Sequence, residues 1–98
     1  MNNKQGPKVI LKGYVIVPSE DLDAVQKALP AHIETTREEA GCLMFDVVQD
    51  QENKNRFNVH EAFVDKASFY AHQDRARNSN WGVVSANIEK HYHVNQVE

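Results

Sequence analysis

The sequence predicts a single α+β domain in which two helices cover one face of a four-stranded antiparallel sheet. Three observations carry this. Extended runs rich in β-branched and aromatic residues alternate with helical stretches in the order β-α-β-β-α-β. The central stretch from Glu39 to Gln73 reads as a long-looped hairpin feeding a helix. The first two strands are apolar on both faces, and one layer of helices buries only one of them. A second copy of the chain, packed sheet against sheet, is the expected cover, since two-fold dimers are the commonest oligomers.

A chain of 98 residues is enough for one domain with a modest core. Its formal net charge is −3 with His neutral, and Lys and Arg form no stripe or cluster. Nucleic-acid or anionic-membrane binding through a basic patch is therefore not expected. No apolar run approaches the roughly 20 residues needed to span a bilayer. The start, MNNKQGPK, has no apolar core of a secretory signal. The single Cys42 excludes an intramolecular disulfide and fits a reducing cytoplasm. With no cation beside it in sequence, Cys42 is read as an inert strand residue.

Residues 1–7 are read as a disordered polar lead-in, and 8–97 as the domain. Residues 8–17, KVILKGYVIV, make the first strand. Val9, Leu11, Val15 and Val17 share one face with Gly13; Ile10, Tyr14 and Ile16 share the other with Lys12. Pro18-Ser19 breaks the strand, and Ser19 is the expected helix cap, with Glu20, Asp21 and Asp23 in the first turn. Leu22, Val25, Leu29 and Ile33 form an apolar stripe. Pro30 should kink the helix. Glu34 to Glu39 reads as an exposed charged end, stopped by Gly41 in the left-handed conformation.

The second strand spans 42–48, with Leu43, Phe45 and Val47 on one face and Cys42, Met44, Asp46 and Val48 on the other. The third spans 56–63, with Phe57, Val59, Glu61 and Phe63 opposite Arg56, Asn58, His60 and Ala62. The second helix opens at Asp65 and carries Phe69 and His72. Asn80 to Val84 reads as a short helix or turn. The last strand, 88–97, turns Ile88, Lys90, Tyr92, Val94 and Gln96 one way and Glu89, His91, His93 and Asn95 the other.

With these residues assigned, the chain resembles the antibiotic biosynthesis monooxygenase family. The resemblance rests on Glu39-x-Gly41-Cys42-Leu43-x-Phe45, Arg56-Phe57-x-Val59-x-Glu61-x-Phe63-x-Asp65 and Phe69-x-x-His72. It extends through Leu29-Pro30-x-His32-Ile33 upstream and Trp81-Gly82 downstream. It implies a ferredoxin-like protomer in a dimeric α+β barrel. It also implies oxidation of a small hydroxylated aromatic or quinol by molecular oxygen, with no flavin, metal or haem. The superfamily also includes haem degraders and isomerases, so an isomerase or a small-molecule-binding dimer without oxygenase activity is the alternative. The haem-degrading pattern places Trp where His72 stands, which disfavours haem here.

Such a reaction needs a base titrating near neutral pH, donors to the developing oxyanion and aromatic walls. His72, on the same side of its helix as Phe69, is the first candidate base; otherwise it packs the helix on the sheet. His60 is the second, with Asn58 and Arg56 on its strand face as substrate contacts; otherwise the three form a polar outer row. Trp81, Tyr92 and Phe69 are candidate pocket walls, or core and interface anchors. Glu61, among apolar neighbours, is either a structural acid or a tuned one. His91 and His93 point the same way, as strand-borne metal ligands do, yet no third ligand spacing supports a site. No tightly bound metal is expected.

Overall fold

The computed structural model describes residues 8–96. The parts of the lead-in and last strand assigned to 1–7 and Val97 lie outside them. The order is β1 (Val9–Ile16), α1 (Leu22–Arg37), β2 (Cys42–Gln49), β3 (Arg56–Phe63), α2 (Lys66–Arg77), α3 (Asn80–Val84) and β4 (Glu89–Gln96). The strands pair in the order β2-β3-β1-β4, and every pairing is antiparallel. This is the ferredoxin-like arrangement, with β1 and β3 central and the helices on one face.

Strand parity decides what lies beneath the helices. Val9, Leu11, Val59, Phe63 and Phe69 form one buried cluster. Val17, Val25, Leu29 and Phe57 form a second, with Trp81 and Ile88 against it. Val15 and Val47 touch both. Each buried aliphatic or aromatic side chain contributes roughly 1.5–3 kcal/mol relative to exposure. Gly13 sits at φ 149°, and a Cβ there would run into Tyr92 of β4. Two strands approach closely there because this position has no side chain.

Three expectations need correction. Ser19 does not cap α1: a 3-10 turn, Ser19–Asp21, precedes it, and Ser19 Oγ accepts a hydrogen bond from Asn55 at 3.2 Å. α1, which keeps Pro30 within one helical segment, ends at Arg37, and Gly41 has no positive φ. Gly41 is required instead by proximity, since a Cβ would collide with the Ser68 side chain in the first turn of α2. A bulge between Cys42 and Met44 reverses the expected faces at the start of β2. The extra residue turns Cys42 onto the core and leaves Leu43 52% exposed.

Asp65 does cap α2, its carboxylate accepting from Ser68 N at 2.8 Å. The hairpin loop is folded by Asp50, whose Oδ2 accepts from Glu52 N and Asn53 N. No described helix is long and apolar enough to cross a membrane.

Candidate functional site

A cavity of about 490 Å³ opens between the helices and the sheet. Ligand pockets commonly span roughly 300–1,000 Å³. Its sheet side is apolar, with Leu11, Val15, Val47, Phe57 and Val59, and Trp81 of α3 adds an aromatic wall. Its titratable lining includes His32 from α1, Glu61 from β3, His72 and Arg77 from α2, and Lys90 and Tyr92 from β4.

His72 is 6% exposed and held from both sides. Its Nδ1 lies 3.0 Å from Glu39 Oε1. An ionised carboxylate only accepts, so Nδ1 carries the hydrogen and, in the neutral ring, Nε2 carries the lone pair. Nε2 faces Glu61 Oε1 at 4.0 Å, beyond a direct hydrogen bond. Arg75 Nε donates to the other oxygen of Glu39, and its second nitrogen donates to Thr36 Oγ1 at 3.1 Å. The Glu39 carboxylate is thus fixed between a cation and the imidazole.

Burial sets the protonation states. Desolvation lowers the His72 pKa below its usual value; Glu39 pulls the other way, and Arg75 reinforces the lowering. Burial, then the Glu39 charge, raises Glu61 to about 7. Burial, then Glu61, raises the Tyr92 phenol. His32 is lowered to about 4 by burial first, then by repulsion from a protonated His72 and from Arg75. Near neutral pH the site therefore holds two uncharged imidazoles and a carboxyl poised to gain or lose a proton.

Of the residues singled out from sequence, Glu61, His72, Trp81 and Tyr92 line this cavity. Phe69 lies in the adjoining core, its ring 5.6 Å from that of Phe63. His60, Arg56 and Asn58 are not brought to the cavity, because they alternate with Phe57, Val59 and Glu61 along β3. On the opposite face Arg56 lies 3.8 Å from the Tyr14 ring centre and donates to Asn58 Oδ1 at 2.8 Å. Asn58 in turn donates to Asp50 at 3.1 Å, tying the strand to its loop. His91 stacks on Tyr14 and pairs with Glu89. Among the described residues no group of three or more His, Cys, Asp or Glu could hold a metal ion.

Sequence reasoning passed over two site residues. His32 falls on the buried face of α1, with Val25, Leu29 and Thr36 at steps of four, three and four. That spacing was visible, but an aliphatic stripe through Ile33 hid it. Glu39 reads as part of an exposed acidic end. It turns inward because α1 stops at Arg37 and a tight turn carries the chain into β2.

The family model for antibiotic biosynthesis monooxygenase matches residues 9–81, most of the chain. The chain belongs to this family. The matched span of this monooxygenase-family protein contains Glu39, Glu61, His72 and His32. The β4 wall, with Tyr92 and Lys90, lies beyond it. A Pseudomonas aeruginosa protein shares its fold, with a TM-score of 0.76, 21% identity, and coverage of 97% of this chain and 96% of that one. A Nitrosomonas europaea protein provisionally named an antibiotic biosynthesis monooxygenase matches at TM-score 0.74 and 22% identity, covering 95% and 90%. A similarly named Deinococcus radiodurans protein matches at 0.70 and 18%, covering 92% of each. At these identities the likeness is one of fold. No curated protein matches the sequence.

Proposed function

We propose that this family member is a cofactor-independent monooxygenase that oxidises a small hydroxylated aromatic or quinol with molecular oxygen. The observation that carries the reading is His72, fixed by Glu39 through Nδ1 and presenting Nε2 toward Glu61 in a cavity with aliphatic and aromatic walls. That is an oriented, buried general base beside a cavity with largely apolar walls. His72 takes the phenolic proton. The phenolate passes one electron to oxygen, and the phenoxyl radical and superoxide join at a ring carbon bearing hydrogen. The peroxide anion recovers the proton from the imidazolium. Loss of the ring-carbon proton, a step we assign to Glu61, cleaves the O–O bond. A quinone and water result, so phenol and oxygen balance the products. The substrate supplies all the electrons.

The protein works as a homodimer on this reading. Support comes from the sheet face away from the helices, where Ile10, Ile16, Met44 and Val48 leave apolar surface partly open. A carbonyl isomerase is the second reading, favoured by the 4.0 Å separation of His72 and Glu61, two groups able to move one proton between neighbouring atoms.

Oxygen uptake with a panel of phenols and quinols tests the proposal. The wild type should consume oxygen, and His72→Ala should lower turnover by roughly 10²–10⁴, the worth of a positioned base. Full uptake by that variant removes His72 from the role. No uptake by the wild type with any member moves the assignment to the isomerase.

A further inference from the structure

Neither ring nitrogen of His32 has a hydrogen-bond partner among the described residues, although the residue is only 7% exposed. The ring is fixed all the same. It stacks on Trp81 at 4.5 Å with planes 6° apart, and the edge of Phe45 meets it at 5.4 Å. Such a side chain is costly unless something completes its hydrogen bonding. His32 lines the cavity, so a bound molecule is the available partner.

The two nitrogens are not equivalent. Nδ1 is sealed from solvent and unpaired; Nε2 is not sealed. A buried N–H donor left unmade is less tolerable than an under-used acceptor, so the lone pair belongs on Nδ1 and the hydrogen on Nε2. A pKa lowered to about 4 keeps this ring neutral across the physiological range. The nearby ionisable groups are His72 on α2, Arg75 and Glu39, which bond each other beside it, and Glu61, 4.0 Å from His72 Nε2. The ring centres of His32 and His72 are 5.9 Å apart. Both rings line the cavity, and this separation leaves room for one oxygen, off the line between the centres, at a hydrogen-bond distance of roughly 2.9 Å from a nitrogen of each.

We infer that His32 is a catalytic hydrogen-bond donor: its Nε2–H binds the substrate oxygen that His72 deprotonates and holds the resulting oxyanion. A neutral imidazole suits this work, since it stabilises developing negative charge without competing for the proton. The inference rests on the phenol-oxidising reading and adds that the cavity prefers a phenolate to the neutral phenol.

The test uses 4-nitrophenol, whose phenolate absorbs in the visible, together with nitrobenzene, which cannot ionise. Wild-type protein should bind 4-nitrophenol and lower its pKa, read by titrating the bound absorbance. His32→Phe keeps the ring stack and removes the donor. It should raise the bound pKa again and weaken phenolate binding by at least 10-fold, with nitrobenzene affinity and thermal melting unchanged. His32→Gln restores an N–H and should recover part of the shift. Turnover of His32→Phe should fall by roughly 10²–10³, the cost of losing one oxyanion donor. An unchanged bound pKa in a folded His32→Phe overturns the inference and leaves the His72 assignment standing. If the wild type binds no nitrophenol, the phenol pocket itself falls, and the role of His32 with it.

Discussion

Replacing Glu61 by Gln should change how stability depends on pH. The carboxyl titrates at about 7 in the folded protein against 4.5 ordinarily, chiefly because burial disfavours its charge. The unfolded chain therefore gives up this proton at lower pH than the folded one. Below pH 4.5 both states are protonated and the group costs nothing. As pH rises from there through 7, ionisation favours the unfolded chain, and the loss is complete above 7. At roughly 1.4 kcal/mol per pKa unit, the shift is worth about 3 kcal/mol. Gln is uncharged at every pH, so Glu61→Gln should gain about 3 kcal/mol relative to wild type between pH 4.5 and 8. His32 acts with the opposite sign: its folded pKa of about 4 lies below the ordinary 6.5, so it costs stability as pH falls through that window. The wild-type curve alone mixes the two, and the difference between variant and wild type isolates Glu61. Urea unfolding of both proteins at pH 5 and pH 8 gives the measurement. A difference in stability that is the same at both pH values refutes the raised pKa, and with it the role of Glu61 as a proton carrier near neutrality.

Other perturbations reach other parts of the structure. Glu39→Gln removes the charge that, with its hydrogen bond, holds the His72 pKa up, and leaves only a neutral amide acceptor. The acid limb of the pH–rate profile for oxygen uptake should move to lower pH, and turnover should drop by roughly 10- to 100-fold, less than on losing the base itself; an unmoved limb separates Glu39 from catalysis. Gly13→Ala forces a side chain into φ 149° and against Tyr92, so denaturant unfolding should show a loss of about 1–3 kcal/mol, and wild-type stability would mean that the two strands separate there at little cost. Sedimentation should show a dimer at micromolar concentration, and a monomer would leave the outer sheet face without its cover.

The sequence by itself determined the order of elements and which residues share a strand face, because alternation and helical spacing are local properties of the chain. Val9, Leu11 and Val15 on one side of β1, the Asp65 cap, and His72 one turn beyond Phe69 were all legible in this way. The family pattern was legible too, since it is an ordered set of residues. Tertiary structure alone decided which face of the sheet the helices cover. That choice put Glu61 in the cavity and set His60, Arg56 and Asn58 on the other side, although all four belong to one strand. It also decided the bulge that exchanges Cys42 and Leu43, since register depends on the partner strand. Glu39 and His72 are 33 residues apart, and their pairing arises only when the turn after α1 meets α2 in the folded chain. Local pattern reports which way a side chain turns. The buried, hydrogen-bonded environment that makes it chemical comes from what the rest of the chain places around it.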